Sequence, residues 1–335
     1  MTTTYGIQKP VNRRRFLKIC AAGAAALALP GSARAQASLH RWTGIALGAR
    51  AEINLLHDDE NTARRLFVRI EAEIERLENI FSLYRSESEL ARLNRNGQLA
   101  VPSLELVELL GLSQQLHLVT GGAFDPTVQP LWDYYARRAV GAAQAGEFAA
   151  TRDRTGLEHV SVQADAIRFL RPGMAMTLNG IAQGFITDRI TALLSANGLT
   201  DMVVDLGEIT ARGAAPDEVE PGQTGWPVTL RPDPHRSDAQ VKLHLSDAAV
   251  ASSARLGTTF DQSGTRSHIL DPKSGEPVRS GLTAASVIAR TAALADGLST
   301  AALVCGEERL AIAMAGFPAT RAFVVRDDGA DGWLG

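Results

Sequence analysis

The sequence predicts an α+β protein, a single compact unit of mixed or antiparallel sheets with packed helices. Three observations carry this. Short apolar runs of strand length recur between Gly, Asp and Pro residues, notably at 202–204, 226–231, 241–245, 249–253 and 282–288. Stretches with apolar residues at helical spacing are interspersed among them at 58–81, 104–119 and 185–196. The order of these elements is irregular, and the chain has neither a G-x-G-x-x-G nor a Walker A loop, so a doubly wound nucleotide fold is not supported. With 335 residues, 45% apolar and 21% charged, the chain can bury a sizeable core. A net charge of −3 offers no basic footprint, which argues against nucleic acid as a partner.

The first 35 residues read as an address. Asn12-Arg13-Arg14-Arg15-Phe16-Leu17-Lys18 precedes an alanine-rich apolar run, and Ala33-Arg34-Ala35 follows as a small-residue cleavage site. The arginine pair resembles a twin-arginine signal, so export by that machinery and cleavage after Ala35 are expected. An uncleaved anchor is the competing reading, although the run is shorter than the ~20 residues a membrane helix needs. The expectation is a signal peptide over 1–35 and one periplasmic domain over 36–335. Of the two cysteines, Cys20 falls in the signal and Cys305 is left alone.

Along the mature chain, residues 40–56 alternate as strand with a break at Gly48, and 58–81 form an amphipathic helix with Glu and Arg outside. Tyr84 follows, either as core or as a ring that stacks on a planar ligand. Ser103 caps a helix over 104–119, stopped by Gly121-Gly122, and an acidic turn, Ala123-Phe124-Asp125-Pro126-Thr127, comes directly after it. Residues 139–154 read as a surface helix or insertion, 160–170 as a strand hairpin, and 217–224 as an acidic loop. Thr177-Leu178-Asn179-Gly180-Ile181-Ala182-Gln183-Gly184 leads into the helix over 185–196, its glycines letting backbone approach a ligand near a helix N-terminus.

The densest chemistry lies between His268 and Thr300. His268-Ile269-Leu270-Asp271-Pro272-Lys273-Ser274-Gly275 puts an imidazole and a carboxylate beside a sharp turn. On a helix opening near Ala292, Asp296 and Thr300 are four residues apart and share a face. A carboxylate beside a hydroxyl suits a hard cation such as Mg²⁺; the alternative is a surface Asp with a Thr bonding back to its own helix.

Taken in order, these segments resemble the FAD:protein FMN transferase (ApbE-type) family. The resemblance rests on Tyr84 with Ser88-Glu89-Leu90, Ala123 to Val128, Gly180 to Gly184, Asp188-Arg189, Asp205-Leu206-Gly207, Ala251-Ser252-Ser253, His268 with Asp271-Pro272, and Ala295-Asp296 with Thr300. It implies an ApbE-like fold and an enzyme that takes FMN from FAD, releases AMP, and links the flavin phosphate to a Thr or Ser of a periplasm-facing redox protein. It also implies that Asp296 and Thr300, with the Gly180 carbonyl and Ser299, hold Mg²⁺. Leu47, Tyr84, Ala123, Phe124, Asp125, Thr177, Gln183 and Leu270 would line the FAD site. His268 would serve as general base or as an orienting group bonded to Asp271 or a phosphate. FAD hydrolysis to FMN and AMP, or a non-catalytic flavin carrier, would use the same pocket.

The chain departs from the family pattern at several positions. Thr177 and Gln183 stand where the family usually has an acidic residue and a lysine, so a charged pair is replaced by a neutral one. Leu47-Gly48-Ala49 replaces a Met-Gly-Thr turn, Gly207-Glu208 shortens a Gly-Gly-acidic loop, and Ser252-Ser253-Ala254 replaces Thr-Ser-Gly. With the twin-arginine signal, these variants resemble the branch that serves nitrous oxide reductase maturation.

Overall fold

The computed structural model describes residues 37–144, 146–216, 224–232, 240–261 and 263–335. The expected signal over 1–35 and nearly all of the 217–224 loop lie outside the described residues. Strands β1 (Ser38–Ala46) and β2 (Ala49–His57) form an antiparallel hairpin. Leu47 and Gly48 join them at φ +46° and +70°, the left-handed pair of a two-residue turn that matches strand twist. In α1 (Glu60–Phe81), Asp59 caps the N-terminus by accepting from the Asn61 and Thr62 amides, and Leu66, Ile70, Ile74 and Leu77 form the buried stripe. A short helix that the sequence did not reveal, α2 (Glu89–Asn96), begins at the Ser88 cap and buries Leu90 and Leu93. Then come β3 (Gln98–Ala100) and α3 (Leu104–Val119), the latter capped by Ser103 as expected.

The weakly patterned stretch from 139 to 154 contains the end of one helix and all of another: α4 (Gln129–Ala139) and α5 (Glu147–Arg152). Strands β4 (Val160–Val162) and β5 (Ala166–Phe169) make the expected hairpin and complete a small sheet ordered β3-β5-β4. Next in the chain come α6 (Ala182–Ala196), β6 (Met202–Asp205) and β7 (Ile209–Arg212), then β8 (Trp226–Leu230), β9 (Val241–Leu245) and β10 (Ala248–Ala254). The last elements are β11 (Leu282–Ala289), α7 (Ala292–Met314), β12 (Arg321–Arg326) and β13 (Asp331–Leu334).

The main sheet has eight strands in the order β1-β2-β6-β7-β10-β11-β12-β13, and every neighbouring pair is antiparallel. Its middle is covered on both faces, which explains why β6 and β11 are continuously apolar rather than alternating. Val204, Ala251 and Val287 face the helical core with α1, α6 and α7, while their neighbours Val203, Val250 and Ile288 face Trp226, Val228 and Leu245 of the β8–β9 hairpin. Helix α7 is buried around most of its first three turns, and Gly306 (φ +73°) interrupts it between Cys305 and Glu307. Its opening turn lies against α6, over the β10–β11 part of the sheet. The candidate metal ligands Asp296, Ser299 and Thr300 follow within the second and third turns of α7.

Candidate active site

The site is built where α6 and α7 meet. Gly184 makes the approach possible: a Cβ there would lie 2.3 Å from the Ala292 carbonyl oxygen, so this glycine serves helix–helix contact rather than ligand approach. Asp188, one turn further along α6, accepts from the Ala292 and Ala293 amides at 2.8 and 2.9 Å, satisfying two of the free donors at the α7 N-terminus. Thr291 supplies the ordinary N-cap. In the sequence Asp188 stands in a motif without an assigned role.

This anchoring places Asp296 inside. It is 4% exposed, which excludes the surface reading of its spacing. One carboxylate oxygen accepts from the Gly184 amide at 3.3 Å. Burial pushes its pKa up to about 7, against the pull of that amide, and the nearby Asp188 carboxylate pushes the same way. Asp188 itself is raised to about 6 by burial, opposed by its two amide bonds. Arg212 and Arg189 act on Asp188 in the lowering direction but do not outweigh burial, and Asp296 has no such cation acting on it among the described residues.

Hydroxyls gather beside them. Ser253 Oγ lies 2.8 Å from Ser299 Oγ and 3.3 Å from Thr300 Oγ1, and Ser299 Oγ donates to the Asp296 carbonyl at 3.0 Å. Gly180 sits directly over Thr300: a Cβ on it would come within 3.0 Å of Oγ1. A buried carboxylate and three hydroxyls beneath a glycine are an all-oxygen donor set, the kind that fits Mg²⁺. Ser253, named in the sequence only as part of a motif and given no role, is thus part of the hydroxyl cluster; no spacing rule connects it to Ser299 and Thr300 more than forty residues later.

The remaining candidate residues fall into three groups around this centre. Phe124 is buried against Gly297, next to Asp296, and the Thr177 amide donates to the Pro126 carbonyl at 2.8 Å, so the 123–127 corner and the 173–181 segment run together. Ala123 is buried in the same corner. Asp125 accepts from the Thr127 amide and hydroxyl and from the Leu157 amide, and burial raises its pKa despite those bonds. Gln183 donates to the Leu206 carbonyl at 2.9 Å and lies across Gly207, so the amide that replaces the usual lysine is held by the β6–β7 turn.

Leu47 and Tyr84 belong to a second group joined by Glu78, which accepts from the Leu47 amide at 2.6 Å and pairs with Arg85. Tyr84 is 80% exposed, so it is not the core residue its composition favoured; its ring is open to a planar partner.

The third group is the segment between β10 and β11. Leu270 is buried with Leu131, Tyr134 and Tyr135 of α4, a packing position in this structure. His268 Nδ1 lies 2.7 Å from the Thr258 carbonyl, which can only accept, so Nδ1 carries a hydrogen. The Asp271 carboxylate, considered in the sequence as a partner of His268, instead receives the Lys273 and Ser274 amides and the Ser274 hydroxyl in a turn.

Among the described residues, His117, Asp125 and Glu158 also bring potential ligand atoms within 4.8 Å of one another. Asp125 is already occupied by three donors, and His117 Nδ1 is 3.0 Å from the Phe124 carbonyl, so the trio reads as a hydrogen-bonded corner.

Comparison with known proteins identifies the family. The ApbE family profile matches residues 47–323. A curated FAD:protein FMN transferase of Treponema pallidum is 32% identical over 273 residues, spanning 76% of this chain and 75% of that protein. The one from Vibrio cholerae is 29% identical over 277 residues, 80% and 81% of the two chains. The solved structure of flavin transferase ApbE from Vibrio cholerae superimposes with a TM-score of 0.76 at 26% identity, covering 89% of this chain and 97% of that one. The apo flavinyl transferase ApbE of Pseudomonas stutzeri gives 0.74 at 27%, over 89% and 94%. With the match spanning most of the chain and the fold shared throughout, the chain belongs to the ApbE family.

Proposed function

We propose that the protein transfers FMN from FAD to a Thr or Ser hydroxyl of a redox protein, releasing AMP, with Mg²⁺ as cofactor. The observation that carries this reading is the buried Asp296 carboxylate among the Ser253, Ser299 and Thr300 hydroxyls beneath Gly180. Asp296, Thr300, Ser299 and the Gly180 carbonyl would hold the ion. When bound, Mg²⁺ neutralises phosphate oxygens and the charge that develops on departing AMP. The chain's own residues supply the rest. Phe124 and the 173–181 segment bound the pocket beside the ligands, and Tyr84 offers an exposed ring for the flavin or adenine. His268, held with its hydrogen toward Thr258, presents Nε2 as the base for the acceptor hydroxyl. The acceptor oxygen bonds to the flavin-side phosphorus, the phosphoanhydride bond to AMP breaks, and the hydroxyl proton passes to His268.

The test is incubation of the mature protein with FAD, Mg²⁺ and an acceptor domain bearing a flavinylation Thr, followed by in-gel flavin fluorescence. A covalent band that disappears with EDTA is expected. His268→Ala should lower the labelling rate by about 10²-fold or more while changing FAD affinity little. Equal losses in both would make His268 a binding residue, and AMP release without a band would favour hydrolysis. FAD binding with neither product would favour a carrier.

The N-terminal segment supports export by the twin-arginine route to the periplasm, where membrane redox acceptors can be reached. A periplasmic fraction whose protein begins at Gln36 is the expected result. Retention of residues 1–35 would mean an anchor instead.

A further inference from the structure

On the side of the small sheet lies an open groove of about 450 Å³ whose lining includes none of the residues assigned above to FAD or the metal. Arg95, Arg168 and Arg171 line it together with Gln98, and none of its described lining residues is acidic. The guanidiniums are not neutralised locally. Arg95 donates to the Ser86 carbonyl and Arg171 to the Asp153 carbonyl, both at 3.0 Å, and neither bond supplies a counter-charge. Arg168 makes no ion pair among the described residues. Arg41, Arg64, Arg76, Arg85, Arg137, Arg189 and Arg326 each face a carboxylate, whereas the groove gathers three arginines that do not. In a protein of net charge −3, three uncompensated arginines in one concavity form a local positive field.

The groove is mechanically tied to the active site. Asn94, on its wall, clamps the Met176 backbone from both sides, donating to the carbonyl and accepting from the amide at 2.8 Å each. The next residue is Thr177, and the same segment delivers Gly180 to Thr300. A chain lying in the groove therefore has a short path to the reacting centre. Leu170, 62% exposed on the groove wall, offers an apolar contact of the size a peptide side chain fills.

We infer that this groove docks an acidic, extended peptide segment, with Arg95, Arg168 and Arg171 pairing its carboxylates. A concave site fits a single chain, whereas a bilayer surface would engage a convex or flat patch. That the segment belongs to the flavin acceptor rests on the transfer reading above; the recognition of an acidic peptide does not.

The experiment uses the mature protein and a fluorescein-labelled hexaglutamate peptide, with binding read by anisotropy at low and at physiological salt. FAD affinity is measured in parallel by flavin fluorescence. Wild type should bind the peptide with an affinity that falls as salt rises. The double variant Arg168→Glu/Arg171→Glu should bind it at least about tenfold more weakly, with FAD affinity and melting temperature unchanged. Equal peptide affinity in both proteins would overturn the inference. So would peptide binding absent from wild type, whether or not phosphatidylglycerol vesicles are bound in its place. Loss of FAD binding by wild type would instead defeat the flavin reading and leave the peptide result to judge the groove by itself.

Discussion

At the scale of single residues, the electrostatic cost of this structure sits in its buried carboxylates, and Asp205 isolates it. Asp205 ends β6 inside the sheet, accepts only the Gly207 amide among the described residues, and lies across the strand pair from Glu52. Burial raises its pKa to about 7, the Gly207 amide opposes this, and the Glu52 charge adds to it. Unfolded, the same group titrates near the model value of 3.8. Below that value it is protonated in both states and costs nothing. As pH rises toward 7 the unfolded chain releases the proton while the folded chain keeps it, so stability falls, by a total on the order of 4 kcal/mol. Asp205→Asn keeps an oxygen for the Gly207 amide and removes the titration. It should match wild type near pH 4 and exceed it by about 2–4 kcal/mol at pH 8 in urea unfolding. Stability curves that run parallel across this range would show that Asp205 is not the titrating group. Nothing in the sequence marks this residue as buried: Asp205-Leu206-Gly207 reads as a turn, and only the pairing of β2 with β6 encloses it.

At the scale of elements, periodicity was sufficient where a segment meets the rest of the protein along one face. The α1 stripe, the Ser103 cap of α3 and the β1–β2 break at Gly48 could all be read because local chemistry dictates each. Helices α2 and α4 carry little sequence signal for different reasons: α2 has only two turns, and α4 follows directly on the acidic turn, whose Pro and Asp obscure its start. The candidate metal pair was legible because Asp296 and Thr300 share a helix. Ser253 and the Asp188 clamp were not, since both depend on pairing between distant elements. Gly184 is the clearest instance. Its sequence suggests a ligand loop, yet the constraint is the Ala292 carbonyl facing it across the α6–α7 contact. Gly184→Ala should therefore push the two helices apart and destabilise the fold by about 1–3 kcal/mol, although alanine is the better helix former. A midpoint in urea equal to or above wild type would mean that the helices can separate freely there.

At the scale of the whole molecule, the sheet and the helical layer bring the proposed ligands at 180, 296, 299 and 300 to one place, so the ion should report on the fold as a unit. On the proposed metal reading Mg²⁺ would bind only the assembled site, since unfolding scatters Gly180, Asp296 and Thr300 over more than a hundred residues. Saturation to about 100 times Kd adds about 2.7 kcal/mol, which for a domain of this size raises Tm by about 5 °C or somewhat more. Asp296→Ala should remove that shift while leaving the metal-free protein folded, since it deletes a carboxylate whose burial is uncompensated without the ion. His117→Ala supplies the counter-test, because His117 belongs to the separate corner with Asp125 and Glu158. A Mg²⁺-dependent shift that survives Asp296→Ala and vanishes with His117→Ala would move the metal to that corner. It would also leave the hydroxyl cluster around Thr300 as packing, and the proposed assembly of phosphate chemistry at the α6–α7 junction would lose its foundation.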